Sequence, residues 1–295
     1  MDAGRRVREA YESLETWIFA AGSPQRLAAI RIGLFTVLAL RLCRPLYLQL
    51  AGQPGVLFRP ISFMHLLPSI PSRNVVLAVE AVAVAASALA AAGVIARVAM
   101  PVALFGALFL NGLWTSVGQP MHNETLLLLC LIPLSFAPAA DAWSLRSHRE
   151  VISVSSTRYG WPIRTSMIVV AGGYFFSGFY KILFSGPAWA FSDNLRWVMY
   201  RVSDESAHPI GPALFLASHP LLMHFAAMIT LVVEFGFPLV LWRPRTAWFF
   251  VPASVMLHAG IGITMHLDYS AWALTTIVVF VPWRRAPIRL SPLHA

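Results

Sequence analysis

Lysine is all but missing from this 295-residue chain: of 22 basic side chains, one alone, Lys181, is a lysine. Acids are scarce too, 13 in all, and charged residues make up 12% of a sequence that is 58% hydrophobic. That balance excludes a soluble globular domain of ordinary composition. Cysteine is limited to Cys43 and Cys130, without CxxC spacing, so neither a disulfide scaffold nor thiol chemistry is expected. The nine histidines show no HxxxH or HExxH spacing, and no metal site is expected. No basic patch interleaved with aromatics points to nucleic acid. No cleavable signal peptide is visible at the start, and no internal repeat appears.

What the chain does have is apolar runs of the length that crosses a bilayer, about 20 residues. They predict an all-α fold, a polytopic membrane bundle of about eight transmembrane helices forming a single domain over 1–295. The expected spans are Ala28–Leu50, Asn74–Ala96, Arg97–Gly118, His122–Ala140, Ile163–Gly186, Pro220–Trp242, Ala247–His266 and Tyr269–Trp283. Ahead of them, residues 1–22 read as an amphipathic helix. Val7, Tyr11, Leu14 and Ile18 fall on one face, and Arg5, Arg6 and Arg8 are placed to meet phosphates. A long loop from Ala51 to Arg73 carries Pro54, Pro60, Pro68 and Pro71 between apolar stretches, as an interfacial segment would.

Charge fixes the orientation. With the N-terminus cytoplasmic, the inner side receives Arg5, Arg6, Arg8, Arg26, Arg97, Arg146, Arg149, Arg158, Arg164, Arg243, Arg245, Arg284, Arg285 and Arg289. The outer side receives only Arg59, Arg73, Arg196 and Arg201. Such an excess of inner arginine is the positive-inside signature, and it predicts an inner-membrane protein with both termini cytoplasmic.

The same topology gathers the polar residues of the spans in the outer half. Lys181 lies near the outer end of the fifth span, and His122, Asn123 and Glu124 open the fourth. Glu80 is about two turns into the second, ~9 Å by helical rise, and Arg41 and Arg44 lie toward the outer end of the first. His258 is mid-to-outer in the seventh, with His266 and Asp268 at its outer end. Glu234 is the exception, roughly 20 Å down the sixth span by the same rise. Ionisable groups inside a membrane are costly and are functional candidates by default. A lysine among arginines is the sharpest of them, because burial can leave its amine neutral and basic, which a guanidinium does not allow. Each has a plainer role available: Lys181 snorkelling to headgroups, Glu80 pairing with Arg41 or Arg44, His122 and Glu124 capping a helix, His258 as a hydrogen-bonded core residue. His219 and His224 read as structural.

Tyr174-Phe175-Phe176-Ser177-Gly178-Phe179-Tyr180-Lys181-Ile182, followed by Trp189, resembles the YFxxGxxKL…W signature of the HTTM family, the membrane domain shared with vitamin K-dependent gamma-glutamyl carboxylase. Arg31-Ile32-Gly33-Leu34, His122-Asn123-Glu124-Thr125-Leu126 through Pro138 and Trp143-Ser144-Leu145, and Glu234 followed by His258 fit the same pattern in order. The resemblance implies that Lys181 is the base that starts oxidation of a reduced quinone with O2. It also implies a supporting histidine near His122 or Asn123, whose order here is swapped. Arg146 replaces the acid of the family's WSLD-like motif, and no C-terminal luminal domain follows the last span, so protein carboxylation is not expected.

Lys181, His122, Glu124, Glu80 and His258 are therefore the candidate catalytic residues. Asn123, Tyr174, Phe175, Tyr180, Trp189, Arg41, Arg44 and Asp268 are candidates for binding a membrane lipid of isoprenoid type. Two enzymatic expectations stay open: a lysine-base enzyme on a quinone or isoprenoid lipid, and an acid-initiated isoprenoid cyclase using Glu80, Glu124 or Asp268 with aromatic faces stabilising cations. A non-catalytic membrane partner or a transporter is the alternative from another class. The lack of an inverted repeat argues against transport.

Overall fold

A computed structural model describes residues 2–44, 46–118, 122–145 and 154–282. The Arg6 side chain and Arg146, Arg149, Arg284, Arg285 and Arg289, all in the inner arginine tally, lie outside what is described, as does the last residue of the eighth expected span, Trp283. The described residues are helical, without strands; one isolated bridge joins Gly22 to Ser156. The helices are α1 (Asp2–Ile18), α2 (Pro24–Leu42), α3 (Arg73–Ala92), α4 (Ala96–Val117), α5 (Thr125–Ser135), α6 (Thr157–Ser185), α7 (Ala188–Phe191), α8 (Asn194–Asp204), α9 (Gly211–Ala217), α10 (Pro220–Gly236), α11 (Leu239–Trp242), α12 (Ala247–Met265) and α13 (Ser270–Phe280).

Four segments are long and apolar enough to cross a membrane: α3, α4, α6, and Pro244–Met265, which contains α12. α9 and α10 add a fifth if they count as one span, but they meet at a bend of 102°. α5 and α13 are apolar and have 11 residues each, about 16 Å of helix, half the thickness of a bilayer core. α2 has 19 residues but carries Arg26, Arg31 and Arg41. The expected first span also ends early: the chain leaves the helix at Leu42 and continues in a 3-10 turn from Tyr47 to Gly52.

Local chemistry explains the breaks. Ser23 caps α2, its hydroxyl accepting from the Arg26 amide at 3.4 Å, and Pro24 occupies the first helical position. α3 stops at Gly93, which adopts the left-handed conformation (φ 73°) and returns its amide to Leu89 and Ala90. α3 and α4 then pack closely because Gly106 faces Ala83; a Cβ on Gly106 would come within 2.7 Å of the alanine methyl. The proline-rich loop is docked rather than free. Met64 is buried, Arg59 donates its amide to the Ser116 carbonyl at 2.6 Å, and Ile61 donates to the Ser116 hydroxyl. In α1 the stripe of Val7, Tyr11 and Leu14 stays exposed, as suits a helix lying in an interface.

Arg31 stitches one end of the bundle, called the inner end after the orientation that the arginine pattern predicts. Its side chain is buried and donates to the carbonyls of Ala91, Ala139, Ala142 and Trp143 at 2.6–3.5 Å. Ser144 adds a bond to the Gly93 carbonyl at 2.7 Å. At the opposite end, called the outer end on the same expectation, α8, α9 and the start of α10 build a small lobe of their own around Met199, Ile210, Ala213, Ala217 and Met223.

Candidate functional site

Two charged groups meet at the outer end of the bundle. In the first, Arg41 at the last turn of α2 donates Nε to Glu124 Oε1 at 2.7 Å and Nη1 to Asp268 Oδ2 at 2.5 Å, and Nη1 also reaches the Ser270 hydroxyl at 3.0 Å. Arg44 pairs with the same Asp268 oxygen. Asn123 closes the ring, donating Nδ2 to the Asp268 carbonyl at 2.9 Å. Three segments distant in sequence are thus joined by one guanidinium fork, a geometry that a lysine cannot reproduce. Burial pushes the Asp268 carboxyl up, but hydrogen bonds from Ser270 and from the Arg44 and Arg41 guanidiniums outweigh it and hold Asp268 well below the usual carboxylate range.

In the second group, Lys181 forms an ion pair with Glu234 of α10, and its ammonium lies 5.2 Å from the centre of the Trp189 ring. Gly178, one turn before Lys181, makes the pairing possible: a Cβ there would lie 3.0 Å from Glu234 Cβ, so α10 can approach α6.

A run of rings lies beneath these groups. Tyr269 OH and His122 Nε2 are 2.8 Å apart, and Trp272 donates Nε1 to the His122 carbonyl at 2.9 Å. The His258 ring stacks on Tyr269, with centroids 5.6 Å apart at 18°. His258 Nε2 meets Tyr174 OH at 3.0 Å, and Tyr174 OH meets Thr276 at 3.1 Å. Asn123 Oδ1, Glu124 Oε2, Glu234 Oε2 and His258 Nδ1 are buried without a hydrogen-bond partner. Such atoms are rare in native interiors, and four of them come from one end of the bundle.

The placement of the expected residues is mixed. Arg41, Arg44, Asn123, Glu124 and Asp268 converge, and Lys181, His122, His258 and Tyr174 lie around them. Two expectations need correction. Glu80 does not pair with Arg41 or Arg44. It is buried on α3 with Oε2 unpartnered, because Arg41 lies on the side of α2 turned toward α5 and α13 and spends its fork on Glu124 and Asp268. Glu234 is no outlier near the inner face. Counting rise from His219 assumed that α10 starts at the outer boundary, whereas the outer lobe carries its first turns beyond the end of α6 and brings Glu234 level with Gly178. Tyr180 is exposed and stacks on Phe184, away from both groups, while Phe175 packs on Phe235. Tyr269, Ser270, Trp272 and Thr276 were not singled out. The sequence signal for them was position alone, since they follow Asp268 directly or at helical spacing. Among the described residues, no three His, Cys, Asp or Glu side chains group closely enough to hold a metal ion.

No protein-family model, no curated protein and no solved structure matches this chain.

Proposed function

We propose that this chain is an integral-membrane enzyme of HTTM type that acts on a quinol or isoprenoid lipid. Eight membrane segments, α2, α3, α4, α5, α6, α10–α11, α12 and α13, would enter with both termini cytoplasmic, α5 and α13 crossing only part of the bilayer as helix. One observation carries the reading: the chain's only lysine is paired with a buried glutamate that keeps one oxygen unpartnered among the described residues. A lysine–glutamate pair in apolar surroundings has two forms that differ by one internal proton transfer, ammonium with carboxylate or amine with carboxylic acid. The second form presents a free amine. That amine takes the hydroxyl proton of a quinol, giving a quinolate and an ammonium, while Glu234 holds the proton already transferred. O2 is the oxidant named for the quinolate. The isoprenoid tail would lie along Phe175 and Trp189.

The test uses purified protein in liposomes with a long-chain menaquinol under air, product being followed by mass spectrometry. Wild type is expected to oxidise the quinol, and Lys181→Met to lose at least about 100-fold in rate, the usual worth of a positioned acid or base. Unchanged turnover in Lys181→Met removes the amine from the mechanism. A second reading rests on Glu80, which is buried and, among the described residues, has no cation within salt-bridge distance. An uncompensated buried carboxyl favours its protonated form, which is what acid-initiated isoprenoid cyclisation requires. Glu124 and Asp268 suit that role poorly, being committed to arginine. Turnover of an isoprenyl substrate abolished by Glu80→Gln and indifferent to Lys181→Met would favour the cyclase.

A further inference from the structure

The inner end contains a cavity of about 660 Å³ between the start of α2, the first turns of α6 and the Pro244–Trp248 turn into α12. Two arginines line it. Arg26 buries its Nε without a partner, and its Nη2 makes only long contacts, 3.6 Å to Met167 Sδ and 3.4 Å to the Val279 carbonyl. Arg164 donates to the Ala20 carbonyl at 2.6 Å and lies 5.7 Å over the Trp17 ring. Both guanidiniums belong to the lining of this one cavity, and among the described residues neither has a carboxylate within salt-bridge distance.

Two like charges facing one cavity with no acid between them are a net cost to the folded chain, and an anion held between them removes that cost. Much of the remaining wall is apolar, with Trp17, Met167, Leu241, Trp248 and Phe280 lining the same space beside Ser23 and Ser155. Trp248 is 79% exposed beside it, the placement of an interfacial anchor. The cradle is built rather than incidental. The bridge between Gly22 and Ser156 fixes the α1–α2 link against α6, and Gly160 lets it lie there. A Cβ on Gly160 would come within 1.9 Å of the Ala20 carbonyl oxygen and 2.6 Å of Arg164 Nη1.

We propose that this inner cavity binds a phosphate-headed lipid, with Arg26 and Arg164 clamping the phosphate and the Trp17, Trp248 and Phe280 wall taking the start of an acyl or polyprenyl tail. A glycerophospholipid and a polyprenyl phosphate share that chemistry. The site stands apart from Lys181 and does not rest on its assignment.

The experiment is native mass spectrometry of the full chain in an uncharged detergent, titrated separately with dioleoyl phosphatidylglycerol, undecaprenyl phosphate and phosphate-free dioleoylglycerol. Wild type is expected to retain one of the two phosphate lipids at least about tenfold more tightly than dioleoylglycerol, the scale of one good charge-assisted contact. The tighter of the two identifies the source of the phosphate. The double variant Arg26→Gln, Arg164→Gln is expected to lose that preference, while Arg73→Gln, Arg97→Gln, which removes two exposed arginines at the starts of α3 and α4, keeps it. Equal retention of dioleoylglycerol by wild type overturns the proposal, and needs no variant to fold. So does a double variant that binds the phosphate lipids as wild type does. Menaquinol turnover in the same preparations separates this site from the lysine, since its loss with Lys181→Met has no bearing on lipid retention at Arg26.

Discussion

The two ends of the bundle handle buried charge in opposite ways. At the outer end every buried cation faces a carboxylate: Arg41 meets Glu124 and Asp268, and Lys181 meets Glu234. At the inner end Arg31 donates both terminal nitrogens to backbone carbonyls while its Nε stays unpartnered, and Arg26 and Arg164 line one cavity. Glu124, Asp268 and Glu234 are therefore spent on buried or half-buried cations at one end, whereas at the other the exposed Arg158 takes Asp141 and, among the described residues, Arg26 and Arg164 have no carboxylate within salt-bridge distance. Number of charges does not separate the two ends; what the charges are aimed at does.

The comparison breaks most severely at Arg41. Arg41→Met leaves Glu124 and Asp268 without their shared cation, and removing one partner of a buried pair costs about 3–5 kcal/mol. We expect thermal unfolding in detergent to show a large drop, and a melting temperature equal to wild type would mean that the outer ring of charge contributes nothing to the fold. Gly160→Ala attacks the inner end instead. The methyl meets the Ala20 carbonyl, so the α1–α2 link must lift from α6 and the Arg164 bond is lost. The cost is about 1–3 kcal/mol, as for other overpacked sites, with loss of lipid retention but a normal outer site. Loss of both activities would show that the ends are coupled.

The smallest effect sharpens the comparison through pH. Asp268 is depressed in the folded chain, so its contribution is fully present above an ordinary unfolded aspartate value of about 3.9 and is lost as pH falls through the lower folded value. It is more than a third exposed, so screening keeps the effect modest. Melting of wild type should fall between pH 5 and pH 3 more steeply than melting of Asp268→Asn; parallel slopes would remove Asp268 from the acid response.

Much of the outer site was legible because topology needs little information. Apolar runs and arginine asymmetry place His122, Glu124, Asp268, Arg41 and Arg44 at one end, where opposite charges can meet. Partner choice was not legible. α6, α10 and α12 are apolar on nearly every side, so their patterns do not say which face turns inward, and Glu234 could be assigned a depth only by assuming where α10 begins. The outer lobe of α8 and α9 displaced that origin. The short lengths of α5 and α13 were hidden as well, since flanking apolar loops lengthen an apolar run without lengthening the helix.

Arg31 carries a consequence for how the protein is made. A guanidinium in the first membrane helix is expensive until the carbonyls of Ala91, Ala139, Ala142 and Trp143 surround it, and these are synthesised 60 to 112 residues later. α2, the second helix to leave the ribosome, is thus completed by a loop that follows α5. With α2 in the bilayer, as proposed, insertion is not a sequence of independent steps. Arg31 acts as a latch that closes only when about half the polypeptide has been delivered, which ties the order of assembly to a single side chain.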